Sequence, residues 1–220
     1  MTRAETSTEL MKKDLLVIGG GGHAKVVIDL ALRSGAWRIA GVLDDAAGAG
    51  ERSVLGCAVL GGTELIGDYL RSDTAFVVAI GSNVVRERLQ ATATSAGLVA
   101  ATLIHPSAVL AESVEIGEGA VVMAGAVINA DARIGKGVIV NTGAVIDHDC
   151  QIGDYSHVAP GVTLCGSVSV GPRSLVGVGA SVLPGILIGS DCVIGAGASV
   201  VSPVTSGTRV VGVPARSTNE

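Results

Sequence analysis

The sequence predicts an α/β domain in residues 1–103, followed by a parallel β-helix in residues 104–220. Strand and helix patterns alternate in the first hundred residues, and from Ile104 to Val200 an aliphatic residue recurs at every sixth position. Of the 220 residues, 2% are aromatic and 32 are glycine, roughly twice the usual ~7%. A core with so few rings must be filled by small aliphatic side chains, which suits thin, regularly stacked layers.

The first domain is predicted from segments with alternating strand and helix character. A short buried strand at 14–18 is followed by a glycine turn and a helix, and a second strand covers 39–43. Next come a helix at 63–70, a strand at 75–81 and a helix at 84–97. This alternation indicates a parallel α/β sheet, and the boundary with the second domain falls near 103–106.

The second domain follows a period of six. All seventeen positions from Ile104 to Val200 at this spacing are Ile, Leu or Val, and a mostly small residue follows each after four positions. This period fits neither a helix nor a hairpin, so we predict a coil with a corner every six residues and coils stacked about 4.8 Å apart. A short tail is expected after about Val204. Glycines 18 residues apart should stack along one corner of a triangular prism, where they adopt the turn conformation at no steric cost: Gly117, Gly135, Gly153, Gly171 and Gly189.

The composition disfavours several functions and locations. The net charge is −5 and no basic stripe is present, so nucleic-acid binding is not expected. No apolar run reaches the ~18 residues that span a bilayer, and the polar start is not a secretory signal, so we expect no membrane contact and a cytoplasmic location. The four cysteines have no metal-ligand spacing, which predicts free thiols and no metal: Cys57, Cys150, Cys165 and Cys192.

The loop at 19–24 has the G-x-G-x-x-A pattern of a Rossmann-like nucleotide-binding domain, between a strand and a helix. Such glycines let the backbone approach a diphosphate at the positive end of a helix. Asp44 and Asp45 follow the second strand, at a spacing suited to a ribose or base contact. Two alternatives stay open: the glycines serve only tight strand–helix packing, and His23 is only a helix-start residue. A nicotinamide-dependent oxidoreductase is disfavoured, because no separate dehydrogenase catalytic domain follows.

Side chains capable of proton transfer are concentrated at 141–150 of the coil. The six-residue phase directs Ile146 and Cys150 inward, so His148 should project outward, with a carboxylate on either side. A neighbouring carboxylate fixes the imidazole tautomer and raises its basicity, which makes His148 a candidate general base. The alternative is a solvated surface histidine. Cys150 and Cys165 have no visible activating partner, so a covalent thiol mechanism is not expected.

His157 lies nine residues after His148, which is half of an 18-residue coil. The two imidazoles should therefore lie well apart around the prism. If both serve one site, that site forms between neighbouring chains. His157 is a candidate ligand contact, with surface or interface packing as the alternative, and His105 is interpreted as a junction residue.

Motifs along nearly the whole chain after about Leu15 resemble those of bacterial hexapeptide-repeat sugar acyltransferases. They are GGGGHAKVVID, the LDD at 43–45, AIGSNVVRERL, LIHPSA, NTGAVIDHDC, IGDYSHVAPG and VVGVPAR. The sequence is most similar to nucleotide-sugar N-acetyltransferases, such as those acting on UDP-4-amino sugars and GDP-perosamine, and to sialic acid O-acetyltransferases. The resemblance implies a left-handed β-helix, acetyl-CoA as co-substrate and a homotrimer with active sites between adjacent prisms.

The resemblance also implies roles for individual residues. The catalytic base falls on His148, and the carboxylate that increases its basicity falls on Asp149, where many relatives carry glutamate. The acetyl-CoA contacts implied are His157, Gly177, Val178 and Ala196. The nucleotide-sugar contacts implied are Gly21, Gly22, His23, Asp44, Asp45 and Gly81.

We therefore expect acetyl transfer from acetyl-CoA to the amino group of a nucleotide-linked 4-amino-deoxy sugar. His148 acts as the general base, and no acyl-enzyme forms. One alternative is O-acetylation of a sugar hydroxyl, as on a sialic acid, which the same base would serve. An alternative of another class is a non-catalytic module that binds nucleotide sugars. The residues do not distinguish the nucleotide base or the carbon that carries the amine.

Overall fold

A computed structural model describes residues 12–46, 52–69 and 74–218 of the chain. The first domain is a six-stranded sheet flanked by helices, with strand order β3-β4-β2-β1-β5-β6. Its elements are β1 (Lys13–Ile18), α1 (Gly22–Arg33), β2 (Trp37–Leu43), β3 (Ser53–Val54), β4 (Cys57–Gly61), a 3₁₀ helix (Thr63–Tyr69), β5 (Thr74–Val78), α2 (Asn83–Ser95) and β6 (Val99–Ala100).

The predicted parallel α/β sheet is confirmed, with three local differences. Every pairing is parallel except the short antiparallel pair of β3 and β4, which the sequence pattern did not predict. The helix expected at 63–70 is a 3₁₀ helix over Thr63–Tyr69, and residue 70 lies outside the described residues. The strand expected to reach Gly81 ends at Val78, so Gly81 lies in the loop beyond the sheet edge.

The second domain is a parallel β-helix with three faces, and between residues 103 and 200 hydrogen bonds connect each strand to the strand 18 residues away; the last pair of face 1, Arg209–Val211 with Arg216–Ser217, is antiparallel. Face 1 consists of Leu103–Ile104, Val121–Val122, Ile139–Val140, His157–Val158, Leu175–Val176, Val193–Ile194, Arg209–Val211 and Arg216–Ser217. Face 2 consists of Val109–Leu110, Val127–Ile128, Val145–Ile146, Thr163–Leu164, Ser181–Val182 and Ser199–Val200. Face 3 consists of Glu115–Ile116, Arg133–Ile134, Gln151–Ile152, Ser169–Val170 and Leu187–Ile188.

The six-residue aliphatic repeat points into the prism, as predicted. Every repeat position from Val122 to Val200 is buried, and these side chains form one core with the small residues that follow four positions later. The first coil is the exception: Ile104 is 39% exposed, because no coil stacks beneath it. Beyond Val204, where a tail was expected, Arg209–Val211 adds a strand to face 1 beside Val193–Ile194.

The five stacked glycines lie along one corner, but the reason proposed for them is wrong. None of the five has a positive φ. The left-handed conformation instead falls on every sixth residue from Gly119 to Gly197, including non-glycine residues such as Asp131 and Asp149. The stacked glycines are needed for close approach, since a Cβ at Gly117 would lie 2.6 Å from the backbone nitrogen of Lys136 in the next coil.

Gly135→Ala is therefore expected to destabilise the β-helix. Its added Cβ would lie 2.7 Å from Asp154 N and 2.9 Å from Ile152 O, backbone atoms that cannot move away alone. Overpacking of this kind costs about 1–3 kcal/mol. Thermal unfolding followed by circular dichroism measures the change. Gly67→Ala is the control, because a Cβ there meets no atom within 4 Å; equal midpoints for the two variants would contradict the close-approach explanation.

The first domain packs against face 1 near its first coils. Leu103, Val121 and Met123 share a buried core with Ala24 and Val27 of α1. This shared core holds the first domain on one side of the prism. The carboxyl ends of β1, β2 and β5 are therefore also held on that side. No helix within the described residues is both long and apolar enough to cross a membrane.

Candidate active site

His148 lies on corner 2–3, the turns that join face 2 to face 3 at 147–150 and the equivalent residues of other coils. Its side chain is 58% exposed, as the inward phase of its neighbours predicts. Its Nδ1 lies 2.7 Å from Asp149 Oδ2, and its backbone N–H donates to Asp147 Oδ1 at 2.8 Å. The Asn129 amide donates to the same Asp147 oxygen at 2.8 Å, so the Asp147 carboxylate is held in place beside the imidazole.

The two carboxylates determine the tautomer and the basicity of His148. A carboxylate only accepts hydrogen bonds, so Nδ1 carries the proton and Nε2 carries the free electron pair when the ring is neutral. The Asp149 hydrogen bond, followed by the charge of Asp147, raises the pKa of His148. The Asn129 hydrogen bond, followed by that of the His148 backbone, lowers the pKa of Asp147. This arrangement suits a base that takes a proton at Nε2.

Asp149→Asn is expected to shift the acid limb of the kcat/KM profile to lower pH. That limb would report protonation of His148, whose pKa falls when the negative partner is lost. The plateau rate should also fall. The amide that replaces the Asp149 carboxylate can donate a hydrogen bond as well as accept one, so it no longer keeps the proton of His148 on Nδ1. Thiol-release rates measured across the pH range test both effects. Asp131→Asn, at the same left-handed corner position one coil earlier, should leave the profile unchanged.

Gly166 is a site residue that the sequence analysis missed. It lies 18 residues after His148 on the same corner, and a Cβ there would lie 2.5 Å from both Cε1 and Nε2 of the imidazole. The ring therefore occupies space that any side chain at this position would fill. Cys165 and Pro184 line the same open groove, which has a volume of about 510 Å³. The available signal was the 18-residue spacing, which places a glycine directly over the candidate base.

The acidic pair of the first domain is held by backbone groups at the sheet edge. Asp44 Oδ2 accepts a short hydrogen bond from Gly20 N–H, and its Oδ1 accepts one from Ala46 N–H at 2.8 Å. Asp45 Oδ1 accepts from Thr63 N–H at 2.7 Å, which lowers the pKa of Asp45. These bonds fix the carboxylates beside the glycine loop, as a binding edge would require.

The glycines of this loop fall into two groups. Gly19 has a φ of 105°, and a Cβ on Gly20 would lie 2.8 Å from Asp44 Oδ2, so both are required by the fold. A Cβ on Gly21 or Gly22 would meet no atom within 4 Å. Tight packing within the chain thus explains only the first two glycines. The other two leave open space at the start of α1.

A small cavity of about 190 Å³ lies at the same edge of the sheet. It is lined by Gly19, Asp44, Asp45, Thr63 and Arg88, among others. Gly81 lies exposed in the loop after β5 at this edge. Sequence reasoning missed Arg88, because its place as the next-to-last residue of AIGSNVVRERL gave no indication that it lies beside Asp45.

His157 lies beside the first domain. It is on face 1, with its ring centroid 6.4 Å from that of His23 at an interplanar angle of 41°. Burial, followed by the charge of Arg86, lowers the pKa of each imidazole to about 4, so both rings are neutral at pH 7. Asn141 Oδ1 accepts from Thr142 N–H, which directs its amide N–H to His157 Nε2 at 3.0 Å. The proton of His157 is therefore on Nδ1.

His23 has an unusual polar atom. Its Nε2 is buried and has no hydrogen-bond partner among the described residues. A buried polar nitrogen without a partner costs free energy, typically about 1–3 kcal/mol. The interpretation of His23 as a mere helix-start residue does not account for this position.

The remaining candidates lie on corner 1–2. This corner consists of the turns that join face 1 to face 2, at 177–180 and at the equivalent residues of other coils. Gly177 packs closely on the next coil, where its Cβ would lie 2.5 Å from Ile194 O. Val178 is 55% exposed, and its carbonyl accepts from Gly197 N–H, next to exposed Ala196. Face 2 therefore separates His148 from this corner and from His157. One chain does not bring the two groups together.

Other reactive groups offer little chemistry. The four cysteines are free thiols, and burial raises the pKa of the Cys150 thiol, which lies 3.2 Å from Cys165 O. Within 12–46, 52–69 and 74–218, no three His, Cys, Asp or Glu side chains are placed to hold a metal ion.

Family models match three parts of the chain. Residues 14–93 match the PglD N-terminal domain. Residues 131–166 match the bacterial transferase hexapeptide of six repeats, and residues 107–130 and 167–202 match the hexapeptide repeat of succinyl-transferase.

Several proteins of known structure or activity are similar to the chain. PerB from Caulobacter crescentus, solved in complex with CoA and GDP-perosamine, is 42% identical over 94% of this chain and 97% of its own, with a TM-score of 0.88. The acetyltransferase domain of PglB from Neisseria gonorrhoeae is 38% identical over 94% and 100%, with a TM-score of 0.90, and is also solved with acetyl coenzyme A. UDP-N-acetylbacillosamine N-acetyltransferase of Bacillus subtilis is 44% identical over 117 residues, and the match spans about half the length of that relative.

Proposed function

Because the chain belongs to the PglD-type hexapeptide-repeat family of nucleotide-sugar N-acetyltransferases, we propose that it transfers the acetyl group of acetyl-CoA to the amino group of a nucleotide-linked 4-amino-deoxy sugar. The observation that carries this proposal is the exposed His148–Asp149 pair, with Nε2 as its free basic nitrogen. A basic imidazole fixed in one tautomer is the group that amine acetylation needs.

His148 accepts the proton of the attacking amine in the proposed reaction. As the sugar nitrogen forms a bond to the thioester carbonyl carbon, Nε2 takes a proton from that nitrogen. The carbon–sulfur bond then breaks, and the imidazolium returns the proton to the departing CoA thiolate. Asp149 stabilises the imidazolium through its Nδ1–H hydrogen bond. No enzyme nucleophile is required, so the transfer is direct.

The first domain holds the nucleotide end of the sugar in this proposal. Gly21 and Gly22 leave open space at the positive end of α1, where backbone N–H groups can bind a diphosphate. Asp44, Asp45 and Gly81 lie at the same sheet edge, and in this proposal they contact the ribose or the base. His23, in the first turn of α1, lies beside the glycine loop and contributes to binding of the nucleotide sugar in this proposal.

Acetyl-CoA lies along corner 1–2 in this proposal. His157, whose proton is on Nδ1, donates a hydrogen bond to the co-substrate, and its low pKa keeps it a neutral donor. Gly177, Val178 and Ala196 form the adjacent surface, which presents small or apolar groups to the pantetheine chain. No metal participates.

A second copy of the chain completes the site. Because face 2 separates His148 from His157 and corner 1–2 within one chain, His148 must meet the substrates held by a neighbour. We propose a homotrimer in which each cleft combines corner 2–3 of one prism with corner 1–2 and the first domain of the next.

A substrate panel tests the proposed function. UDP-, GDP- and dTDP-linked 4-amino sugars, free sialic acid and a matched nucleotide 4-hydroxy sugar are each supplied with acetyl-CoA, and thiol release is followed with product mass. Turnover confined to the nucleotide amino sugars supports the proposal. Acetylation of sialic acid or of the hydroxy sugar would favour O-acetylation, and binding without any turnover would indicate a non-catalytic module.

A further inference from the structure

Arg86 of α2 is a buried cation at the junction of the two domains. It is 1% exposed, and all three nitrogens of its guanidinium donate to oxygen acceptors. Six acceptors surround it at 2.6–3.3 Å. They are the carbonyl oxygens of Ile80, Gly81, Gly137, Tyr155 and Ser156, and the side-chain oxygen of Asn83.

This guanidinium has no carboxylate partner within the part of the chain that the structure describes. Removing a cation from water without an opposite charge is costly, and a well-packed apolar side chain is often at least as stabilising. Burial accordingly lowers the pKa of Arg86 to about 10, so it remains charged at pH 7. Domain docking alone does not require a cation here, since Gln90 of the same helix docks on Glu118 O with a neutral amide.

The acceptors of Arg86 belong to the two halves of the proposed site. Ile80 and Gly81 form the loop after β5 at the nucleotide-sugar edge. Tyr155 and Ser156 directly precede His157 on face 1. The Arg86 guanidinium therefore connects the backbone of the loop at Ile80 and Gly81 to the backbone directly before His157. Its charge also acts on both nearby imidazoles, His23 and His157.

We propose that Arg86 is a positioning residue for acetyl transfer, which holds the Gly81 loop and the coil of His157 in one fixed arrangement. This rests on the proposed function. A misplacement of reacting groups by about 1 Å can cost 10²-fold in rate, so loss of the guanidinium affects turnover as well as binding. Lysine keeps the charge, but its three N–H donors are on one nitrogen. It therefore cannot donate as the guanidinium does to both the Gly81 loop and the coil of His157.

Arg86→Lys and Arg86→Met test the proposal, with Gln90→Met as the matched control. Gln90 is a buried polar residue one turn along α2 that also bonds across the domain junction, but to Glu118 O and not to the backbone of Gly81 or of the residues before His157. Both Arg86 variants are expected to lower kcat about tenfold or more and to raise KM for the nucleotide sugar. Gln90→Met should change kcat less than about twofold. Circular dichroism melts identify any variant that fails to fold.

The changes in kcat and KM of folded variants test the positioning role, and histidine NMR titrations test separately whether the charge of Arg86 acts on the two imidazoles. In Arg86→Met, loss of the positive charge should raise the pKa of His23 and His157, whereas Arg86→Lys should leave both close to the wild-type values. Wild-type kcat and KM in Arg86→Lys, or an equal loss in Gln90→Met, would overturn the positioning role. If the wild-type chain acetylates none of the amino sugars, the proposed function fails, while the titrations still report whether Arg86 faces the two imidazoles.

Discussion

His148→Ala is expected to lower kcat by about 10²–10⁴-fold, the usual contribution of a general base. The variant loses the only group on corner 2–3 that combines a free basic nitrogen with a fixed carboxylate partner within the described residues. Its fold should be unchanged, since the side chain is exposed and forms no part of the prism core. Thiol release with saturating nucleotide amino sugar and acetyl-CoA gives kcat, and circular dichroism checks the fold.

His105→Ala is the matched control for this prediction. His105 precedes the first turn of the β-helix, where its Nδ1 accepts from Ser107 N–H at 3.0 Å, and no proposed substrate contact involves it. Its loss should leave kcat near the wild-type value. Activity of His148→Ala within about threefold of wild type would remove the general-base assignment, because proton transfer would then contribute far less than such bases normally do.

The β-helix was predictable because its signal is local and repeats. An aliphatic residue at every sixth position predicts a corner every six residues, and the 18-residue spacing of the glycines predicts three faces per coil. The role of the glycines did not follow. Gly117 packs on the backbone of the next coil, whereas Gly119 adopts the left-handed conformation beside the Gln90 side chain, and the pattern of residue types does not distinguish these two roles.

The candidate site was predictable only where its residues are neighbours in sequence. His148 and Asp149 are adjacent, so the inward phase of Ile146 and Cys150 was enough to place them on the surface. The contact between His23 and His157 depends on how the first domain docks on face 1. The contacts of Arg86 were not predictable either, because its place on a helix gives no sign that it binds carbonyl groups of another domain.

Gly166→Ala is expected to lower kcat by about 10²-fold, because a displacement near 1 Å at the base has this scale of effect. The added Cβ would lie 2.5 Å from Nε2 and Cε1 of His148, so the ring must swing away from its present position. Its 2.7 Å bond to Asp149 then weakens, and the pKa of His148 falls with it. The φ of Gly166 is not in the left-handed region, so alanine brings no backbone strain of its own.

The pH profile separates displacement of the ring from a general loss of stability. Gly166→Ala should shift the acid limb of kcat/KM to lower pH, in the same direction as Asp149→Asn, whereas a merely destabilised β-helix would lower the whole profile and the unfolding midpoint together. Combining Gly166→Ala with His148→Ala should cost little more than His148→Ala alone, because both changes remove the same proton acceptor. Additive losses in the double variant would mean that Gly166 acts on turnover by a route other than His148.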